Sequence, residues 1–123
     1  MAWDYPRVEQ LAADAWALEG RWTVEPEFAR AERAGTSLRM RFRARDLHLV
    51  MAPGAAGPVR FRVTLDGKPP GEDAGSDIDA QGYGTVDSDR LYQLVRQANG
   101  STERLFEITF LDPGASAYAF TTG

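Results

Sequence analysis

The chain of 123 residues has no cysteine, a single lysine, a single histidine and no long apolar run. Without cysteine it forms no disulfide, performs no thiol catalysis and builds no zinc–thiolate site. His48 has no second histidine to join it, and no G-x-S-x-G motif is present. Serine–histidine catalysis and a histidine-based metal centre therefore have no support. No stretch of 18 apolar residues exists, so no helical membrane span is expected. The leading "MAWDYPRVEQL" lacks a basic segment followed by an apolar one and does not read as a signal peptide. Any export signal is expected on a longer parent chain. A net positive charge is also lacking: 18 acidic side chains outnumber 14 basic ones, the formal net charge is -4 and the sequence pI about 4.9, which argues against bulk electrostatic binding of nucleic acid. Carboxylates are plentiful, but so small a domain without a helix-framed cleft argues against a two-carboxylate glycosidase. No cofactor is implied.

Helix-like composition is confined to residues 3–19, "WDYPRVEQLAADAWALE", where a short helix or an irregular arm ended by Gly20 is expected. From residue 20 the pattern has a period of two. Leu38, Met40, Phe42 and Ala44 oppose Arg39, Arg41, Arg43 and Arg45. Val59, Phe61, Val63 and Leu65 oppose Arg60, Arg62, Thr64 and Asp66, and Phe106, Ile108 and Phe110 oppose Leu105, Glu107, Thr109 and Leu111. Such alternation marks antiparallel strands with one buried and one wetted face. Gly/Pro punctuation at "APGAAGP", "KPPG" and "ANGS" separates seven or eight strands. The expected fold is all-β: an antiparallel two-sheet sandwich, jelly-roll-like, with a short N-terminal arm or helix. The arm or linker would cover residues 1–15 and the sandwich 16–123.

Three features carry candidate chemistry. The first is "GSDIDAQGYGTVDSD", residues 75–89. Aligned to a calcium loop, Asp77, Asp79 and Gln81 take positions 1, 3 and 5, and Gly82 takes the turn position. Position 12, which should be a bidentate Glu, is Ser88. The flanks read as strands, so calcium is the weaker reading and no metal site is assigned. The stronger reading is turn geometry with Asx hydrogen bonds. A third is a ligand rim of Asp77, Asp79 and Tyr83, joined by Trp3, facing a sugar, another polyol or a peptide. The second feature is an arginine stripe: Arg39, Arg41 and Arg43 on one strand, Arg60 and Arg62 on another. It either docks an acidic partner or is a solvated face with cross-strand pairing. The third is the aromatic set. Trp22 and Tyr92 share faces with Val24 and Leu94 and are assigned to the core; Trp3, Tyr5 and Tyr83 are the freer rings.

Six segments in order then carry a family resemblance. They are "WALEGRWTVE" (16–25), "LRMRFRARDLHLVMAP" (38–53), "VRFRVTLDGKPPG" (59–71), "GSDIDAQGYGTV" (75–86), "RLYQLVR" (90–96) and "FEITFLDPGASAYAFTTG" (106–123). Together they resemble the C-terminal domain of DipZ-type thioredoxin-like proteins. The resemblance implies a β-sandwich likened to carbohydrate-binding modules and a periplasmic or cell-envelope setting. It also implies a partner thioredoxin-like domain that carries the redox cysteines. This chain departs from the family pattern at Thr122, where a Phe is usual, and at Gln81, where an Asp is frequent. The expected role is a non-catalytic accessory module that binds carbohydrate or docks on the redox domain. The alternative is a purely structural or dimerisation domain.

Overall fold

A computed structural model describes all 123 residues. The strands are β1 (Ala2–Tyr5), β2 (Trp16–Val24), β3 (Ala29–Ala31), β4 (Thr36–Ala44), β5 (Asp46–Ala52), β6 (Val59–Leu65), β7 (Tyr83–Val86), β8 (Arg90–Arg96), β9 (Thr102–Phe110) and β10 (Ser116–Thr122). The single helical element is a 3-10 turn, Gly71–Asp73. All pairings are antiparallel, and the path runs β7-β6-β9-β4-β2-β3-β10-β5-β8, with β1 added beside β2.

The expected pair of separate sheets is instead one strongly curled half-barrel, and β2 is the reason. Along Trp16–Glu19 it pairs with β4; from Gly20 onward it pairs with β1 and β3. The change of partner falls at Gly20, which has φ +93°. A Cβ there would lie 2.9 Å from Thr36 Oγ1. Glycine is required both for the backbone angle and for the approach of the next strand. The sequence reading allowed a short helix or an irregular arm ended at this glycine; no helix forms, residues 6–15 run as an arm and residues 16–19 are strand. Helix-forming composition is overridden because the segment gains a full set of ladder partners on β4.

The two halves of the curl face one core. Leu38, Phe42, Val59, Phe61, Val63, Leu65, Phe106, Ile108 and Phe110 project from β4, β6 and β9. Leu47, Leu49, Met51, Tyr92, Leu94 and Trp22 meet them from β5, β8 and β2. Edge-to-face ring pairs cross the interior: Phe61–Tyr92 at 6.5 Å, Trp22–Phe110 at 6.0 Å and Phe106–Phe120 at 5.8 Å between centroids. Each contributes on the order of 0.5–1.5 kcal/mol beyond its buried area.

β1 forms an edge beside β2, and the path itself ends on two more edge strands, β7 and β8. The connection between β6 and β7 covers both. Gly75 and Asp77 donate backbone N–H bonds to Leu94 O (3.0 Å) and Gln93 O (3.1 Å) on β8. Two residues on, Asp79 N–H donates to Tyr83 O on β7 at 3.0 Å. The β7 and β8 edges are thereby partly covered and less open as templates for another chain.

Candidate ligand groove

The sequence reading placed four ligand-binding residues together; the structure does not. Asp77 Oδ1 accepts from Arg90 Nη2 (2.9 Å), and its Oδ2 accepts from the Gln93 backbone N–H (2.7 Å). Burial pushes this carboxyl up, but the Arg90 and Gln93 hydrogen bonds outweigh it and hold it below the usual range. Asp79 Oδ1 accepts from the N–H groups of Gln81 (3.0 Å) and Tyr83 (2.9 Å), an Asx arrangement that shapes the turn. Asp77 faces β8, whereas Asp79 and Tyr83 border a shallow polar depression with Arg60 and Thr85. Trp3 is exposed on β1, and strands β6, β9, β4 and β2 intervene between it and Tyr83. The D-x-D-x-Q-G run thus has its carboxylates committed to backbone and arginine partners, and no cluster with metal-ligand geometry is formed there. Gly82 answers a different need from a calcium loop's: with φ +96°, a Cβ there would sit 2.0 Å from Val63 O.

The arginines are also dispersed. Arg39 is only 3% exposed, because residues 6–15 lie across the outer face of β4. Its Nη2 donates to Val8 O, and its Nε has no partner. Arg41 Nε donates to Leu11 O at 2.7 Å, and backbone bonds join Asp14 and Ala15 to Arg41. Arg7 adds ion pairs to Glu19 (3.1 Å) and Glu107 (3.3 Å). Arg60 makes a forked pair with Asp112 at 2.9 and 2.8 Å, which brings the Asp112 carboxyl down to about 2. Arg62 lies 5.0 Å from the Tyr83 ring centroid. Only Arg43 of the five is exposed without an ion pair. Of the two readings of the stripe, pairing with carboxylates is seen at Arg60 with Asp112 and Arg41 with Glu103, while Arg39 and Arg41 also hold the N-terminal arm, a contact that alternation alone does not disclose.

The concavity with binding character lies elsewhere. β2, the β2–β3 hairpin and β10 enclose a groove of about 340 Å³, and 11 of its 14 lining residues are hydrophobic. Trp16 stands at one side, 61% exposed. Pro26 sits in the hairpin, where its fixed φ favours a tight turn, and Glu25 N–H closes onto Phe28 O at 2.8 Å. That turn presents Phe28 with Glu25 and Glu27 beside it. Tyr118 faces Phe28 with ring centroids 5.4 Å apart. It owes its position to a bulge: Ala117 pairs with Met51 and Ala119 with Val50, leaving Tyr118 as the extra residue. Bulges re-aim a side chain in this way and are frequent beside functional sites. Leu18, Leu38, Leu49 and Phe120 form the remaining apolar wall.

Sequence reasoning missed this groove. Trp16 fell at the boundary between a segment of helix-like composition and the start of the sandwich, and a single-residue bulge in "SAYAF" leaves no local signature. The one available signal was three aromatics, Trp16, Phe28 and Tyr118, none of them needed by the alternating core pattern.

The family model of the thioredoxin-like C-terminal domain matches residues 2–123. The chain belongs to that family. This thioredoxin-like C-terminal domain also shares its fold with parts of two solved carbohydrate esterases of family two. For the Cellvibrio japonicus enzyme the TM-score is 0.64 at 18% identity, covering 92% of this chain and 32% of that one. For the Clostridium thermocellum enzyme, solved in complex with cellohexaose, it is 0.60 at 14% identity, covering 89% and 31%. The domain thus spans under a third of either esterase, and the likeness concerns the fold alone. Among curated proteins none matches the chain. No helix of the domain is long and apolar enough to cross a membrane.

Proposed function

We propose that this accessory domain is a non-catalytic sugar-binding module of an extracytoplasmic thioredoxin-like protein, with its site at the Trp16–Phe28–Tyr118 groove. The observation that carries the reading is the groove itself: three rings, two of them well exposed, around an apolar trough bordered by two carboxylates. Pyranose rings present flat C–H faces that stack on aromatic faces, while their hydroxyls require acceptors at the edge. Glu25 and Glu27 supply such acceptors. The cellohexaose complex of one esterase sharing the fold lends support by analogy and no more. A module of this kind keeps its parent protein near a glycan surface, and the thioredoxin-like domain of that parent is its covalent partner. An envelope setting is part of the same proposal, as the resemblance to DipZ-type proteins implies.

The test is a glycan array probed with the wild-type domain and with Trp16→Ala and Tyr118→Ala. Binding to a defined glycan class that falls at least tenfold in both variants is the expected result. Absence of signal above background overturns the reading. Signal that both variants retain removes the groove from it.

A further inference from the structure

The charge of the groove border goes further than its shape. Of the residues lining the groove, only Glu25 and Glu27 are charged; no lysine, arginine or histidine is among them. Both are exposed, and neither takes part in an ion pair. Arg30 lies 5.5 Å from the Phe28 centroid and is paired with Glu32 Oε1 at 3.4 Å. Ten of the 18 side-chain carboxylates, Asp66, Asp77 and Asp112 among them, are met by an arginine, and Glu25 and Glu27 belong to the eight that are not. The two at the groove are left unanswered, on a hairpin tip that Pro26 stiffens.

Resting on the sugar-binding reading, we infer that the groove selects its ligand by charge: it takes sugars bearing a free amine in preference to neutral ones, and disfavours uronic acids. An ammonium on a ring stacked against Trp16 or Tyr118 lies within reach of the hairpin carboxylates. It also gains from the negative faces of the aromatic rings. A uronate in the same place meets two like charges with no counter-ion. Because both glutamates are exposed, the preference is modest, on the order of fivefold per step, and salt-sensitive.

The experiment compares three β-1,4-linked hexamers of the same backbone geometry, built from glucosamine, glucose and glucuronate. Affinities are measured by isothermal titration calorimetry at mildly acidic pH, where the glucosamine amines are protonated, at low salt and in 1 M NaCl. The expected order is glucosamine, then glucose, then glucuronate, with about fivefold between neighbours and the differences collapsing at high salt. In Glu25→Gln/Glu27→Gln the three affinities should converge, with glucosamine losing most, glucuronate gaining, and glucose weakened only by the poorer amide acceptors. Equal binding of all three, or a preference for glucuronate, overturns charge selection and leaves sugar binding standing. So does a glucosamine preference that survives the double variant, since attraction to the net negative domain then explains it. If no hexamer binds the wild type, the sugar reading fails and the selection with it.

Discussion

Replacing Gly82 by alanine tests how the loop between β6 and β7 is built. Two costs are expected. Alanine at a positive φ, here +96°, costs about 1–2 kcal/mol. The new methyl would also sit 2.0 Å from Val63 O, so the strands must part by more than an ångström. That separation sacrifices the 2.7 Å bond from Val63 N–H to Gly82 O, leaving buried backbone groups unpaired at about 1–3 kcal/mol. The sum, roughly 2–5 kcal/mol, is a large share of the roughly 6–18 kcal/mol ordinary for a chain of this length. Gly100→Ala is the matched control: its φ is +92°, but nothing lies within 4 Å of the added Cβ. It should lose only the backbone cost of about 1–2 kcal/mol. At about 4 °C per kcal/mol, thermal unfolding followed by circular dichroism should show a Tm drop of about 8–20 °C for Gly82→Ala and about 4–8 °C for Gly100→Ala. Equal drops would refute the argument, because the contact with Val63 would then carry no weight.

Other expectations follow from the same structure. Asp66, Asp77 and Asp112 all have carboxyl pKa values below the unfolded reference of about 3.9. Between the folded and unfolded values the native state binds fewer protons, so their stabilisation is present above the unfolded value of about 3.9 and is lost as the pH falls through each folded value, which for Asp112 is about 2. Tm measured from pH 5 to 2 should therefore decline, and Asp77→Asn should flatten the decline; an unchanged slope would contradict the role given to Asp77. Calcium at millimolar concentration should leave Tm within error, since Asp77 and Asp79 already accept bonds from Arg90 and from backbone N–H groups; a clear rise would reinstate a metal loop. Arg39→Ala/Arg41→Ala should speed tryptic cleavage after Arg7 by about tenfold with a smaller effect on global unfolding, because the ties at Val8 and Leu11 are removed. Cleavage at the wild-type rate would show that the arginines do not hold the arm.

Much of the fold was legible because burial and the strand period coincide. Val59, Phe61, Val63 and Leu65 are all buried, as are Phe106, Ile108 and Phe110, and Tyr92 lies in the core as its face predicts. Legibility failed where a partner distant in sequence decides the outcome. Trp16–Glu19 looks helical by composition, yet β4 supplies a ladder twenty residues away. Ala2–Tyr5 has no strand pattern of its own and is ordered by pairing with β2. Arg39 belongs to the outer face, as alternation requires, yet the arm covers it. Val24, expected beside Trp22 in the core, is exposed at the groove, since β2 has by then reached the end of the sheet. The candidate site suffered most, because a groove made by a hairpin tip, a strand start and a bulge has no signature in any one segment.

Nuclear magnetic resonance titration of the ¹⁵N-labelled domain with the glucosamine hexamer bears most directly on the central claim. Progressive shifts confined to residues 16–18, 25–29 and 117–120, including the Trp16 indole N–H, are predicted. Shifts centred on Asp79 and Tyr83, or a spectrum that does not change, would contradict it.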